Sequence, residues 1–82
     1  QVAAVNKQTG NAYENLANAI IVQAAEDYRA ALKKIKAHPK NKDVINEALR
    51  IERFFRSGWY QTLTSVDGEG LIRRLQAEIR SL

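Results

Sequence analysis

The chain has 82 residues, 45% of them hydrophobic and 27% charged, and no cysteine. It is long enough for one globular domain, while disulfides, zinc–thiolate sites and thiol catalysis are excluded, and no apolar run approaches the ~20 residues of a membrane span. The net charge of +4 sits in one block: residues 28–42 hold Arg29, Lys33, Lys34, Lys36, Lys40 and Lys42 with no acid, whereas residues 1–27 set Lys7 against Glu14, Glu26 and Asp27.

Residues 1–10, QVAAVNKQTG, lack helical periodicity and include Gly10. They are expected to form a flexible tail, with a single helical domain over residues 11–82. They show neither an initiator Met nor a signal-peptide pattern, and read as an end left by cutting or processing. Asn11 fits a helix cap, with Glu14 three residues on, near the positive end of the helix dipole.

From there Tyr13, Ala17, Ile21, Ala24, Tyr28, Leu32 and Ile35 recur at steps of 4, 4, 3, 4, 4 and 3, one apolar stripe at helical period. The stripe predicts a helix of about 26 residues, about 39 Å long, stopped by Pro39, which disfavours helical geometry at His38. Asn41 or Asp43 starts the second helix, whose stripe is Val44, Ala48, Ile51 and Phe55, widened by Ile45 and Leu49. Ser57-Gly58 weakens helix, so a kink or break is expected there, with a short helical piece over Trp59 to Leu63. TSVDGEG is rich in turn formers, and Asp67 fits a cap for the last helix with Glu69 in its first turn. Leu71, Ile72, Leu75, Ile79 and Leu82 mark that helix's buried face. No segment alternates apolar and polar residues as a strand would. The fold class is all-α: a bundle of three to four helices, with one long N-terminal helix in a hairpin with the second and the last helix packing back against the first helix's N-terminal half.

Catalytic chemistry finds little support. His38, the only histidine, stands at a helix end, where a cation suits the dipole, and no HExxH or ExxH is present. Gly68-Glu69-Gly70 begins a GxGxxG pattern, but Arg73 occupies the third glycine position and no strand precedes it. Asp67 and Glu69 read as helix-start acids, and Glu26-Asp27 as a source of a structural ion pair. No enzymatic role, cofactor, metal or small-molecule substrate is expected.

Two surfaces remain. The basic block places Arg29, Lys33 and Lys36 on one helix face, continued by Lys40 and Lys42 into the turn, a pattern that neutralises phosphates. A helix-turn-helix reading is weak, because the TSVDGEG turn is long and acidic and the last helix opens with Glu69. The second surface is aromatic, since FFRSGWY packs four of six aromatic residues into seven positions. By helical spacing Phe55 belongs to the core stripe, as does Trp59 if the helix only kinks, whereas Phe54 and Tyr60 lie off it. With Arg50 and Arg53 beside them they have the composition of an interface hot spot.

The runs AIIVQAAEDYRAALKKIK and ERFFRSGWYQTLTSVDGEGLIRRLQAEI resemble small proteins of prophages and integrative elements of gut Firmicutes, over about residues 15–80. The resemblance rests most on Asp27-Tyr28-Arg29, Phe54-Phe55-Arg56-Ser57 with Trp59, and Asp67-Gly68 leading to Leu71-Ile72. It implies a mobile-element accessory protein of a bacterial cytoplasm, acting on host or phage proteins or DNA, with inhibition of a host defence nuclease among such roles. The expectation is therefore a non-enzymatic module that binds a protein partner, or itself, through Phe54, Tyr60, Arg50 and Arg53. The alternative is a nucleic-acid-binding accessory protein using Arg29, Lys33, Lys36, Lys40 and Lys42.

Overall fold

A computed structural model describes the backbone from residue 2 to 82 and the side chains from residue 12 onward. The chain is all-α, with four helices: α1 (Val2–Ala37), α2 (Lys42–Phe55), α3 (Gly58–Leu63) and α4 (Gly68–Arg80). α1 begins at Val2 and has 36 residues, where the sequence led to a start at Asn11 and about 26, while the side chains of residues 1–11, the expected Asn11 cap among them, lie outside those described.

Each boundary has a local cause. Pro39 cannot continue α1, and the backbone closes with His38 N–H donating to Lys34 O at 2.7 Å. Asn41 caps α2, its side-chain oxygen accepting from Asp43 N at 3.0 Å and Val44 N at 3.3 Å. Ser57 serves two helices at once. Its hydroxyl donates to Phe54 O at 2.7 Å, at the end of α2, and accepts from Tyr60 N at 3.1 Å, at the start of α3. Its backbone is extended, with φ −81° and ψ 161°, so the chain breaks there rather than kinks. Gly58 has no positive φ and open space around it, so the break does not depend on glycine's conformational freedom. Asp67 caps α4 by accepting from Gly70 N at 3.2 Å.

The hairpin of α1 and α2 is antiparallel. Tyr28 reaches Glu52 near one end, and Ala31 and Lys34 share a shallow groove with Asp43 and Val44 at the other. The last helix, however, lies along the C-terminal half of α1 and not the N-terminal half. Gln76 meets Tyr28, Glu78 meets Arg29, and Ile79 O meets Lys36, so α4 runs parallel to α1. The reason is length. The 14 residues of α2, about 21 Å, return the chain only to the level of Tyr28. The six-residue α3 and the 64–67 connection then reverse it, and α4 can only run back down. The 36 residues of α1 span about 54 Å, matching the molecule's longest dimension of 54 Å.

The core centres on Tyr28, Phe55, Tyr60, Ile72 and Leu75, all essentially without solvent contact. Ala48, Ile51 and Ile79 complete the faces expected of α2 and α4, while Leu82, expected on α4's buried face, is exposed. Small side chains on α1 (Ala25 and Ala31 are buried) let the aromatic residues of α2 and α3 approach closely. The Tyr28–Phe55 and Phe55–Tyr60 rings meet edge to face with centroids 6.0 and 5.7 Å apart. Among the described residues no helix is long and apolar enough to cross a membrane.

Candidate interaction surface

The break at Ser57 sets which aromatic side chains meet solvent. Had the helix continued through Gly58, Trp59 would follow Phe55 on the buried face. Instead the chain starts a new helix, and the phase is reset. Trp59 is 58% exposed and Tyr60 is 1% exposed, the reverse of the sequence expectation for both. Tyr60 is therefore not a surface contact. Phe54 is half-buried and links the two, its ring 5.4 Å from Trp59 and 5.7 Å from Tyr60, both edge to face. The exposed indole thus stands on a rigid aromatic base.

Arg50 and Arg53 are exposed on α2. Arg50 lies one turn before Phe54 and pairs with Glu47 on its own helix. No carboxylate meets Arg53 among the described residues. The surface is a protruding indole, a braced phenyl ring and arginines along the adjacent helix.

The basic block is divided by the fold. Arg29 is drawn to α4, its Nε donating to Glu78 at 2.7 Å. Lys36 spans to the end of α4, donating to Ile79 O at 3.2 Å and Leu82 O at 2.7 Å. These two side chains tie α1 to α4. Lys33, Lys40 and Lys42 are exposed and form no ion pair among the described residues, as is Lys34 beside them. Among the described residues Asp27 makes no ion pair with another helix, and it accepts from Gln23 on its own helix at 3.0 Å.

A polar chain that sequence spacing does not reveal crosses the bundle. Gln76 donates to the Tyr28 hydroxyl at 3.0 Å, and Tyr28 donates to Glu52 at 2.5 Å. Glu52 also accepts from Arg56 at 3.2 Å, and Arg56 pairs with Glu69 at the start of α4. Burial, then the bond to Glu52, holds the Tyr28 hydroxyl well above the ordinary tyrosine range. The bond from Arg56 lowers the Glu69 carboxyl. Tyr60 has no such partner: its hydroxyl is buried without a hydrogen bond, and burial followed by the charge of Asp67 raises it. It lies beside an open cleft of about 660 Å³ between α3, the 64–67 connection and the start of α4. No group of three or more metal-ligating side chains occurs among the described residues.

Fold and surface together define a small all-α module with an exposed tryptophan on an aromatic cluster. No family model, curated protein or solved structure matches the chain.

Proposed function

We propose that the chain is a non-enzymatic module that binds a protein partner through Trp59, Phe54, Arg50 and Arg53. One observation carries this reading: a tryptophan more than half exposed, held edge-on against a half-buried phenylalanine beside unburied arginines. Trp and Arg are the residues most enriched at interface hot spots, and a braced indole loses little freedom when a partner covers it. Trp59 replaces Tyr60 in the set expected from sequence, because the indole is the side chain presented to solvent. The role of a mobile-element accessory protein in a bacterial cytoplasm belongs to this proposal, supported by the resemblance in the Asp27-Tyr28-Arg29 and Phe54-Phe55-Arg56-Ser57 runs.

The test is affinity capture from bacterial lysate with wild type and Trp59→Ala, identification of what is retained, and direct titration of the identified protein. The expected result is a partner whose affinity falls roughly tenfold or more in the variant, with helicity unchanged. Equal affinity for both forms would overturn the assignment of the surface.

A second reading, contact with nucleic-acid phosphates, is supported by the exposure of Lys33, Lys34, Lys40 and Lys42. With Arg29 and Lys36 engaged by α4, it relies on these four side chains. Anisotropy of labelled duplex DNA should then show binding that weakens steeply with salt, and Lys33→Glu with Lys40→Glu should abolish it. Unchanged affinity in that variant would remove this reading.

A further inference from the structure

The cleft between α3, the 64–67 connection and the start of α4 holds two groups that the fold leaves unanswered. One is the Tyr60 hydroxyl. Tyr60 lines the cleft and is 1% exposed, yet its hydroxyl meets no hydrogen-bond partner. A hydroxyl buried without a partner is costly, so this one favours whatever supplies a partner. The other is the Asp67 carboxylate, which also lines the cleft. One of its oxygens caps α4 by accepting from Gly70 N, and no cation meets it among the described residues. The two groups are neighbours, since the charge of Asp67 helps to raise the Tyr60 hydroxyl.

The charges at the cleft choose the ligand. Its charged side chains are Arg56, Asp67 and Glu69. Arg56 is already held by Glu69 and Glu52, and Arg73 also acts on Glu69. Asp67 therefore carries the charge left uncompensated. The α4 dipole adds about half a positive charge at this end, which a full carboxylate charge outweighs. An anion would meet Asp67 and Glu69 with no free cation to hold it. A cation meets a carboxylate and a hydroxyl oxygen that both accept, and the bond to the carboxylate is charge-assisted. Val66, 58% exposed, adds an apolar edge to the same cleft. We propose that this cleft binds an alkylammonium group, with Asp67 and Tyr60 accepting its N–H bonds and Val66 covering its stem. The Tyr60 hydroxyl has essentially no solvent contact in the free chain, so binding moves the 64–67 connection outward. That segment is suited to moving. Among the described residues Ser65 and Val66 form no hydrogen bond to any helix, and Val66 N donates to Thr64 Oγ1 within the connection.

Titration of the full, isotope-labelled chain with n-butylammonium chloride, followed by backbone amide shifts, tests this. The ammonium should bind with a dissociation constant of about a millimolar, its shifts concentrated over the 64–67 connection and the first turn of α4. Butyrate and n-butanol, which keep the stem and change the head, should bind at least roughly tenfold more weakly. Tyr60→Phe and Asp67→Asn should each weaken the ammonium roughly tenfold. Both should fold, because the first removes an unpaired hydroxyl and Asn caps a helix as Asp does, and the dispersion of the same spectra checks it. No saturable shift up to roughly 50 mM ammonium would overturn the site. So would butyrate or n-butanol binding as well as the ammonium, or unchanged affinity in either variant. An ammonium can also sit over an exposed indole, so Trp59→Ala should bind as wild type does, and loss of binding there would equally overturn the cleft. Nα-acetyl-lysine methylamide separates two sources of the group. Binding equal to that of n-butylammonium supports the cleft as a receptor for a lysine side chain of a protein, and binding of the free amine alone supports it as a site for small amines. Trp59 does not line the cleft, so a failure here leaves the proposed aromatic contact standing.

Discussion

Two buried tyrosines show how much a single hydroxyl depends on its partners. Tyr28 donates a hydrogen bond to Glu52 and accepts one from Gln76, so Tyr28→Phe removes two bonds from the polar chain. Chemical denaturation should show a loss of about 1–2 kcal/mol. Tyr60 buries the same group with no partner, so Tyr60→Phe removes a penalty without breaking a bond. The same assay should show no loss, or a gain of up to about 1 kcal/mol. Both hydroxyls are raised in the folded chain, which sets the sign at high pH. The folded state holds these protons more tightly than the unfolded one. Their stabilisation is complete below the unfolded tyrosine value of about 10, and is lost as pH rises from there through the folded values. Thermal melts should therefore fall in midpoint above about pH 10, and fall less in Tyr28→Phe.

At the scale of elements, much was legible in the sequence because the signals are local. Pro39 ends α1, Asn41 caps α2 and Asp67 caps α4, as the residues themselves require. The stripe Val44, Ala48, Ile51 and Phe55 faces inward as its period demands, although Val44 is only partly covered. Trp59 and Tyr60 were not legible, because their faces depend on whether the helix kinks or breaks at Ser57. Composition at Ser57-Gly58 allows either. The outcome follows from a hydroxyl shared between Phe54 O and Tyr60 N. Nor does sequence show that α4 lies against the C-terminal half of α1, since that follows from how far α2 returns the chain. The two glycines at these boundaries should behave oppositely. Gly58 has open space, so Gly58→Ala should leave stability unchanged or raise it by about 0.4–1 kcal/mol. At Gly68 an added Cβ would run into the Phe55 carbonyl oxygen, a contact with backbone that cannot swing aside. Gly68→Ala should separate the start of α4 from the end of α2 and cost about 2 kcal/mol or more, read from the denaturation midpoint.

Over the whole molecule, the bundle is a small core attached to a helix longer than it can cover. A chain of this length buries only ~60% of the surface its unfolded form exposes, so what remains uncovered carries weight. Here that surface includes Tyr13 and Leu16 of α1 and the indole of Trp59. Apolar groups are thus presented to solvent while a well-filled core lies beneath them. Trp59 is the only tryptophan, so its fluorescence reports on one site. The most direct measurement is acrylamide quenching of that fluorescence in dilute protein, repeated with the captured partner bound. The expected result is a solvated, readily quenched indole in the free chain and a protected, blue-shifted one in the complex. A free chain whose indole is already protected would mean that the helix runs on through Gly58, with Trp59 in the core and no aromatic contact face.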